Sequence, residues 1–310
     1  MSIEIIIRIQ FPSAGLELLE RDFTVHYAPT PEAFESAIDA YPQTRALVTN
    51  GSIGVTGAQL RRLGNLEMVV TQGVGHEQVD LETLKELGLV LTTGKGTNGF
   101  SVADHAMALL LAAARHIVWA DHRVREDKWV ESRGPRALAY QKRLGILGLG
   151  EIGLQIAKRG LGFDMDIRYH NRSPRNDVAY LYKPNPVELA ANSDFLIVAM
   201  PGGPGTRGLV GREVLDALGP KGYLVNIGRG TIVDTAELVS ALHEGRIAGA
   251  ALDVVAGEPT VPPELLAAPN LTLTPHMASR SPESVSEAMN RISSNLKAHF
   301  AGKPLVSRIA

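Results

Sequence analysis

Three side chains that follow apolar runs could together reduce a ketone. Arg229 lies in Asn226-Ile227-Gly228-Arg229-Gly230, after the run 223–227. Glu258 lies in Asp253-Val254-Val255-Ala256-Gly257-Glu258-Pro259, after the run 248–254, and His276 in Thr274-Pro275-His276, after 271–273. An arginine between glycines exposes a planar fork that can grip a carboxylate through two hydrogen bonds. A histidine can give a proton to a ketone oxygen as hydride reaches the carbon, then regain it from solvent. A carboxylate beside a histidine orients the ring and favours its charged form. Each residue also has a plain structural reading: a surface arginine in a glycine turn, a strand terminator, a helix cap. Their occurrence after three successive runs favours the chemical one, the reversible reduction of a 2-keto acid to a 2-hydroxy acid. Arg229, Glu258 and His276 are thus the candidate catalytic residues.

Such a reduction needs a hydride carrier, and the chain has a place for one. Gly148-Leu149-Gly150-Glu151-Ile152-Gly153 stands between a short apolar run, 143–147, and a helical apolar face begun by Leu154, Ile156 and Ala157. In a strand–turn–helix unit the first glycine permits the tight turn, the second lets backbone approach a pyrophosphate, and the third lets helix and strand pack closely. The helix N-terminus supplies N–H donors to the phosphates. Gly148, Leu149, Gly150, Glu151, Ile152 and Gly153 are therefore expected at a dinucleotide. An NAD-binding unit places an Asp or Glu about 20 residues further on, against the ribose hydroxyls. Here the strand ends Tyr169-His170-Asn171-Arg172-Ser173. The guanidinium and hydroxyl suit a 2′-phosphate, so Asn171, Arg172 and Ser173 point to NADPH, with NADH the weaker alternative.

These residues need elements to hold them. Strand-like runs at 3–9, 24–27, 46–49, 68–71 and 89–92 alternate with helical patterns at 14–20, 31–39, 57–63 and 81–87. A long helix is expected from near Ser101, capped by it with Asp104 at the third helical position, running through 106–114 and beyond. Residues 128–141 read as an irregular connection. A second series follows, with strands at 167–170, 195–200, 223–227, 248–254 and 271–273 and helices at 186–191, 212–218, 234–243 and 282–300. Alternation of this kind predicts an α/β protein of two doubly wound parallel-sheet units with a cleft between them. Ligands would sit at the carboxyl ends of the strands. A length of 310 residues accommodates two domains.

Composition narrows the partners. With 31 basic and 33 acidic residues and no charge block, neither nucleic acid nor a membrane surface is expected. The absence of cysteine excludes disulfides, thiolate metal sites and a thiol nucleophile. His116 and His122 have no partner at a metal-binding spacing, so no metal is expected. His105 falls on the apolar face of the long helix and reads as a core histidine. Trp119 and Trp129 are expected to anchor the connection between the domains. The apolar N-terminal run carries Glu4 and Arg8 and reads as a strand, not a signal peptide. The run 106–114 is too short to span a bilayer, and a cytoplasmic protein is expected.

The fingerprint, the Asn226–Gly230 segment, Leu252-Asp253-Val254 through Glu258-Pro259, and Pro275-His276, in this order, resemble the D-isomer-specific 2-hydroxyacid dehydrogenases over nearly the whole chain. Ser101-Val102-Ala103-Asp104-His105 and His170-Asn171-Arg172-Ser173 are most similar to the branch of glyoxylate/hydroxypyruvate and hydroxyphenylpyruvate reductases, whose members commonly use NADPH. The resemblance implies that Arg229 binds and polarises the substrate and that His276 is the acid/base, with Glu258 its partner. It implies that Asp253 meets the nicotinamide carboxamide and that Thr97, Met200, Pro201 and Ile227 line the cofactor. Val74 and Gly75, in Gln72-Gly73-Val74-Gly75, would face the substrate carboxylate with their backbone N–H groups. A flavodoxin-like substrate domain of residues 1–98 plus 284–310, a Rossmann NAD(P)-binding domain of 99–283, and a homodimer through the latter are also implied. His76 and Glu77 depart from the family's usual apolar residue and Asp. The segment Asn50-Gly51-Ser52-Ile53-Gly54, expected at the substrate side chain, does not reveal its size. Left open beside a glyoxylate/hydroxypyruvate reductase are an aromatic keto acid reductase, a phosphoglycerate or formate dehydrogenase, and a non-catalytic NAD(P)-sensing corepressor.

Overall fold

A computed structural model describes residues 2–310. The chain divides into two compact units, residues 1–98 with 280–310 and residues 99–279.

The first unit alternates β1 (Ile3–Ile7), α1 (Ser13–Glu20), β2 (Phe23–Tyr27), α2 (Pro31–Ala40), β3 (Ala46–Thr49), α3 (Gly57–Arg62), β4 (Met68–Thr71), α4 (Leu81–Glu86) and β5 (Val90–Thr92). Its five strands are parallel in the order β2-β1-β3-β4-β5, a flavodoxin-like winding. Successive side chains of a strand point to opposite faces, so Ile6 packs under α2 and α3 while Ile5 and Ile7 meet Leu19 of α1 on the other face. The C-terminal helix, Pro282–Phe300, adds Ile292 and Leu296 to that second face. The first strand stops at Ile7, short of the expected residue 9. Arg8 is buried there and donates to the Gly54 carbonyl (2.8 Å) and to Gln59 (3.2 Å).

The second unit opens with α5 (Gly99–Arg115) and α6 (Ile117–Arg125). There follow β6 (Arg143–Leu147), α7 (Glu151–Leu161), β7 (Asp166–His170), β8 (Leu181–Tyr182), α8 (Pro186–Ala191), β9 (Phe195–Val198), α9 (Arg212–Leu218), β10 (Tyr223–Asn226), α10 (Thr235–His243), β11 (Gly249–Leu252), α11 (Pro263–Leu266) and β12 (Leu271–Leu273). Seven parallel strands run β12-β11-β10-β9-β6-β7-β8. Reversal of direction at β6 gives the crevice of a Rossmann unit, beyond the ends of β6 and β9. Leu144, Ile146, Ile197 and Val225 face α5 and α7, and Leu196, Val198, Leu224 and Leu252 face α8 to α10.

The long helix differs from its expected form in two ways. It begins at Gly99, so Ser101 lies inside the first turn; its hydroxyl donates to the Ala278 carbonyl (2.7 Å) instead of capping. It also stops at Arg115, because His116 takes a left-handed conformation (φ 52°) and α6 leaves at a bend. No residue of α6 is buried, and Ile117, Val118 and Trp119 are exposed. Trp129 is 60% exposed, and Trp119 packs locally beside Arg123 and Arg136. The short elements β8 and α11 went unforeseen, since two and four residues are too few to show a periodicity. Among the described residues, no single helix is long and apolar enough to cross a membrane.

Candidate active site

Three adjacent strands deliver the three candidate residues to one sheet edge. Strands β10, β11 and β12 are parallel neighbours, so their carboxyl ends open together. Arg229 follows β10 by three residues, and its loop is tied by a buried amide. Asn226 Oδ1 accepts from the Gly228 N–H (3.0 Å) and its Nδ2 donates to the Arg229 carbonyl (3.0 Å). The Arg229 guanidinium donates from Nη1 to the Gly228 carbonyl (2.8 Å). Beyond β11 and β12, His276 Nδ1 and Glu258 Oε1 lie 2.6 Å apart, both groups about a third exposed. With Nδ1 engaged, Nε2 is the nitrogen left for proton exchange with a ligand. Burial pushes the Glu258 carboxyl up, but the hydrogen bond and charge of His276 and the charge of Arg229 outweigh it. The carboxyl is held below its ordinary value and stays ionised at neutral pH.

His276 stands on a strained backbone. Its φ of 50° lies in the left-handed region, which costs a non-glycine residue on the order of 1 kcal/mol or more and persists only where the surroundings enforce it. The enforcement comes from Asp253, whose side chain is 1% exposed. Its carbonyl accepts from the His276 N–H (2.8 Å), while its carboxylate accepts from the Thr274 hydroxyl (2.6 Å), the Met277 N–H (2.9 Å) and the Ala278 N–H (3.0 Å). His105 Nε2 lies 3.3 Å from the same carboxylate and 3.0 Å from the Thr274 hydroxyl. Asp253, the residue expected at the nicotinamide carboxamide, holds the His276 loop through these bonds. His105, read as a core histidine, is 18% exposed here and hydrogen-bonded.

Burial pushes the Asp253 carboxyl up, yet the bonds from His105, Thr274, Ala278 and Met277 outweigh it and lower it to about 2. Against an unfolded value near 3.9, ionised Asp253 stabilises the fold by about 2.5 kcal/mol. That contribution is full above about pH 5 and drains away as the pH falls toward the folded value. In Asp253→Asn an NH2 must confront a backbone N–H or the Thr274 hydroxyl, and the titration vanishes. Denaturant unfolding should therefore lose about 1 kcal/mol less between roughly pH 5 and pH 3 in the variant than in the wild type. Equal losses would contradict this role for Asp253.

The dinucleotide fingerprint occupies the crevice end of β6. The Leu149 N–H donates to Asn171 Oδ1 (2.7 Å) and the Gly148 N–H to the His170 carbonyl (3.0 Å), so the ends of β6 and β7 are locked together. A Cβ on Gly153 would stand 2.3 Å from the Gly148 carbonyl oxygen, which fixes helix against turn. A Cβ on Gly150 would meet nothing within 4 Å, and Gly150 offers α7 no side-chain cap. Open space against an uncapped helix N-terminus fits a pyrophosphate, so the residues present fit a dinucleotide. At the β7 tip, Arg172 and Ser173 are exposed. Arg175, which went unforeseen, reaches the Leu149 carbonyl (3.0 Å) while paired to Asp177. Glu151 and Ile152 open α7, and Met200 and Pro201 follow β9 at the crevice. Ile227 is 7% exposed.

The remaining candidates belong to the first unit. Val74 and Gly75 follow β4 at the carboxyl end of its sheet, with Val74 exposed. Thr97 is buried, and its hydroxyl donates to the Gly94 carbonyl (2.7 Å). Asn226, Thr274 and His105 were missed as supports of the site. The one signal was in Asn226 and His105, a polar side chain at the end of a buried strand and another on an apolar helix face.

The chain resembles known proteins over most of its length. A family model described as D-isomer specific 2-hydroxyacid dehydrogenase, NAD binding domain, matches residues 107–278. The chain is 44% identical to glyoxylate/hydroxypyruvate reductase A of Arabidopsis thaliana over 266 residues, covering 86% of this chain and 85% of the relative. It is 43% identical to the hydroxyphenylpyruvate reductase of Plectranthus scutellarioides, covering 86% and 85%. The crystal structure of an NADPH-dependent glyoxylate/hydroxypyruvate reductase from Sinorhizobium meliloti, in complex with NADP and malonate, superposes with a TM-score of 0.92. It is 35% identical, and the match covers 100% of this chain and 97% of that one.

Proposed function

The chain belongs to the D-isomer-specific 2-hydroxyacid dehydrogenase family, and we propose that it reduces a small 2-keto acid, glyoxylate or hydroxypyruvate, to the D-2-hydroxy acid with NADPH. The observation that carries this reading is the 2.6 Å contact of His276 Nδ1 with Glu258 Oε1, because it leaves an oriented ring with one nitrogen to exchange a proton. Bound NADPH would supply the hydride that adds to the keto carbon. Arg229 grips the substrate carboxylate and draws charge from the adjacent carbonyl. His276 gives its proton to the keto oxygen as that oxygen gains charge, and Glu258 steadies the ring before and after. The ring then recovers its proton from solvent. Val74 and Gly75, through backbone N–H groups, are part of the same proposal for the carboxylate, as are Thr97, Met200, Pro201, Ile227 and Asp253 for the cofactor.

The preference for NADPH rests on Arg172 and Ser173 at the tip where a carboxylate would select NADH. Loss of a charge-assisted contact costs about 1.5 kcal/mol or more, so Arg172→Ala should weaken NADPH binding about tenfold and leave NADH nearly unaffected. Fluorescence titration at matched ionic strength checks both. Tighter binding of NADH than NADPH by the wild type would end the NADPH assignment. A homodimer through the exposed apolar face of α6 belongs to this reading, and light scattering that returned the mass of one chain would remove it.

The function itself is tested by a keto acid panel followed at the reduced-nicotinamide absorbance band. Glyoxylate and hydroxypyruvate should be turned over faster than aromatic keto acids. Dinucleotide binding without turnover of any keto acid would favour a non-catalytic sensor instead.

A further inference from the structure

We propose that His105 is a positioning residue for the reduction, holding from α5 the loop on which His276 stands, with Ser101 as its second brace. The proposal rests on His276 being the acid, as argued above. His105 and Ser101 are four residues apart and share one helix face. His105 Nε2 meets the Thr274 hydroxyl (3.0 Å) and the Asp253 carboxylate (3.3 Å) at the start of the loop, and Ser101 donates to the Ala278 carbonyl (2.7 Å) at its end. His276 lies between these two anchor points, in its left-handed conformation.

Donor accounting fixes the direction of the first bond. An ionised Asp253 only accepts, and the Thr274 hydroxyl proton is committed to it at 2.6 Å. The Thr274 oxygen must therefore accept from His105, so His105 carries a proton on Nε2. Without that donor the buried carboxylate and hydroxyl lose a partner and the loop can relax. A shift of about 1 Å in a group that must meet a reacting atom costs about a hundredfold in rate.

The test uses the NADPH-loaded protein and hydroxypyruvate. His105→Leu removes the donor at similar size, and His105→Gln returns an amide N–H near the position of Nε2. His105→Leu should lower kcat about tenfold or more, with KM for the keto acid and the NADPH dissociation constant within about twofold of wild type. His105→Gln should recover most of the loss, and Ser101→Ala should lower kcat by a smaller factor. A folded His105→Leu protein with wild-type kcat, whatever its Tm, would overturn the proposal. Should His105→Leu not fold, an undiminished kcat in both Ser101→Ala and His105→Asn, whose amide is too short to reach, would overturn it equally. His276→Ala is measured beside them. Full activity in His276→Ala would refute the acid assignment, whereas an inactive His276→Ala with an undiminished His105→Leu would refute only the role of His105.

Discussion

Replacing His276 by alanine is expected to lower kcat by about a hundredfold or more, the usual contribution of a positioned general acid. Binding of NADPH should change little, because the crevice beyond β6 is built from the fingerprint, Asn171 and the β7 tip, none of which uses the imidazole. Folding should survive the change. The loop that carries His276 is held by its backbone and by Asp253, through the His276, Met277 and Ala278 N–H groups, and only the Nδ1–Glu258 contact is lost. The loss should therefore fall on kcat and kcat/KM together, which marks an interaction made in the transition state. Initial rates with saturating hydroxypyruvate, read beside a dinucleotide titration, check both halves of the expectation.

The second large effect is expected at Arg229. Its side chain is held by a loop that Asn226 closes, and its charge acts on Glu258. On the proposed reading, removing the guanidinium in Arg229→Ala would deprive the substrate carboxylate of its counter-charge and the keto oxygen of a polarising neighbour. Truncating one partner of a desolvated charge pair costs about 2–5 kcal/mol, so kcat/KM should fall by roughly two to three orders of magnitude. Unlike His276→Ala, this variant should show a strongly raised KM as well as a lower kcat, because the proposed grip on the carboxylate would act in the ground state too. Arg229→Lys should recover part of the loss, since it keeps the charge but not the two-pronged fork. A KM unchanged in Arg229→Ala would show that the carboxylate is held elsewhere.

Much of this was legible in the chain because local pattern and burial coincide. Strands such as Ala46–Thr49 and Phe195–Val198 are buried along their whole length, so they read as short apolar runs between turns. Parallel winding then places whatever follows those runs at one edge, which is why Arg229, Glu258 and His276 could be picked out from order and position alone. Boundaries were less legible where a single side chain decides them. The first strand ends at Ile7 because Arg8 finds partners inside the unit, and α5 ends where His116 turns left-handed.

Least legible was the support beneath the site. Ser101 reads as a helix cap from its neighbours, yet its hydroxyl bonds a carbonyl 177 residues away. His105 reads as a core residue from its helix face, yet its ring meets a hydroxyl 169 residues away. The resemblance pointed to Asp253, but not to the bonds by which its carboxylate organises the turn 21 to 25 residues later. Hydrogen bonds between loops leave no periodicity, and only the assembled sheet brings their partners together.

The proton role proposed for His276 is tested most directly by the pH dependence of kcat/KM, measured in both reaction directions on the wild type and on His276→Ala. Reduction needs the ring protonated and hydroxy acid oxidation needs it neutral. The wild-type reduction rate should therefore fall as pH rises while oxidation climbs across the same range, and His276→Ala should show neither limb. The same two limbs persisting in His276→Ala would contradict the assignment of the proton to this imidazole.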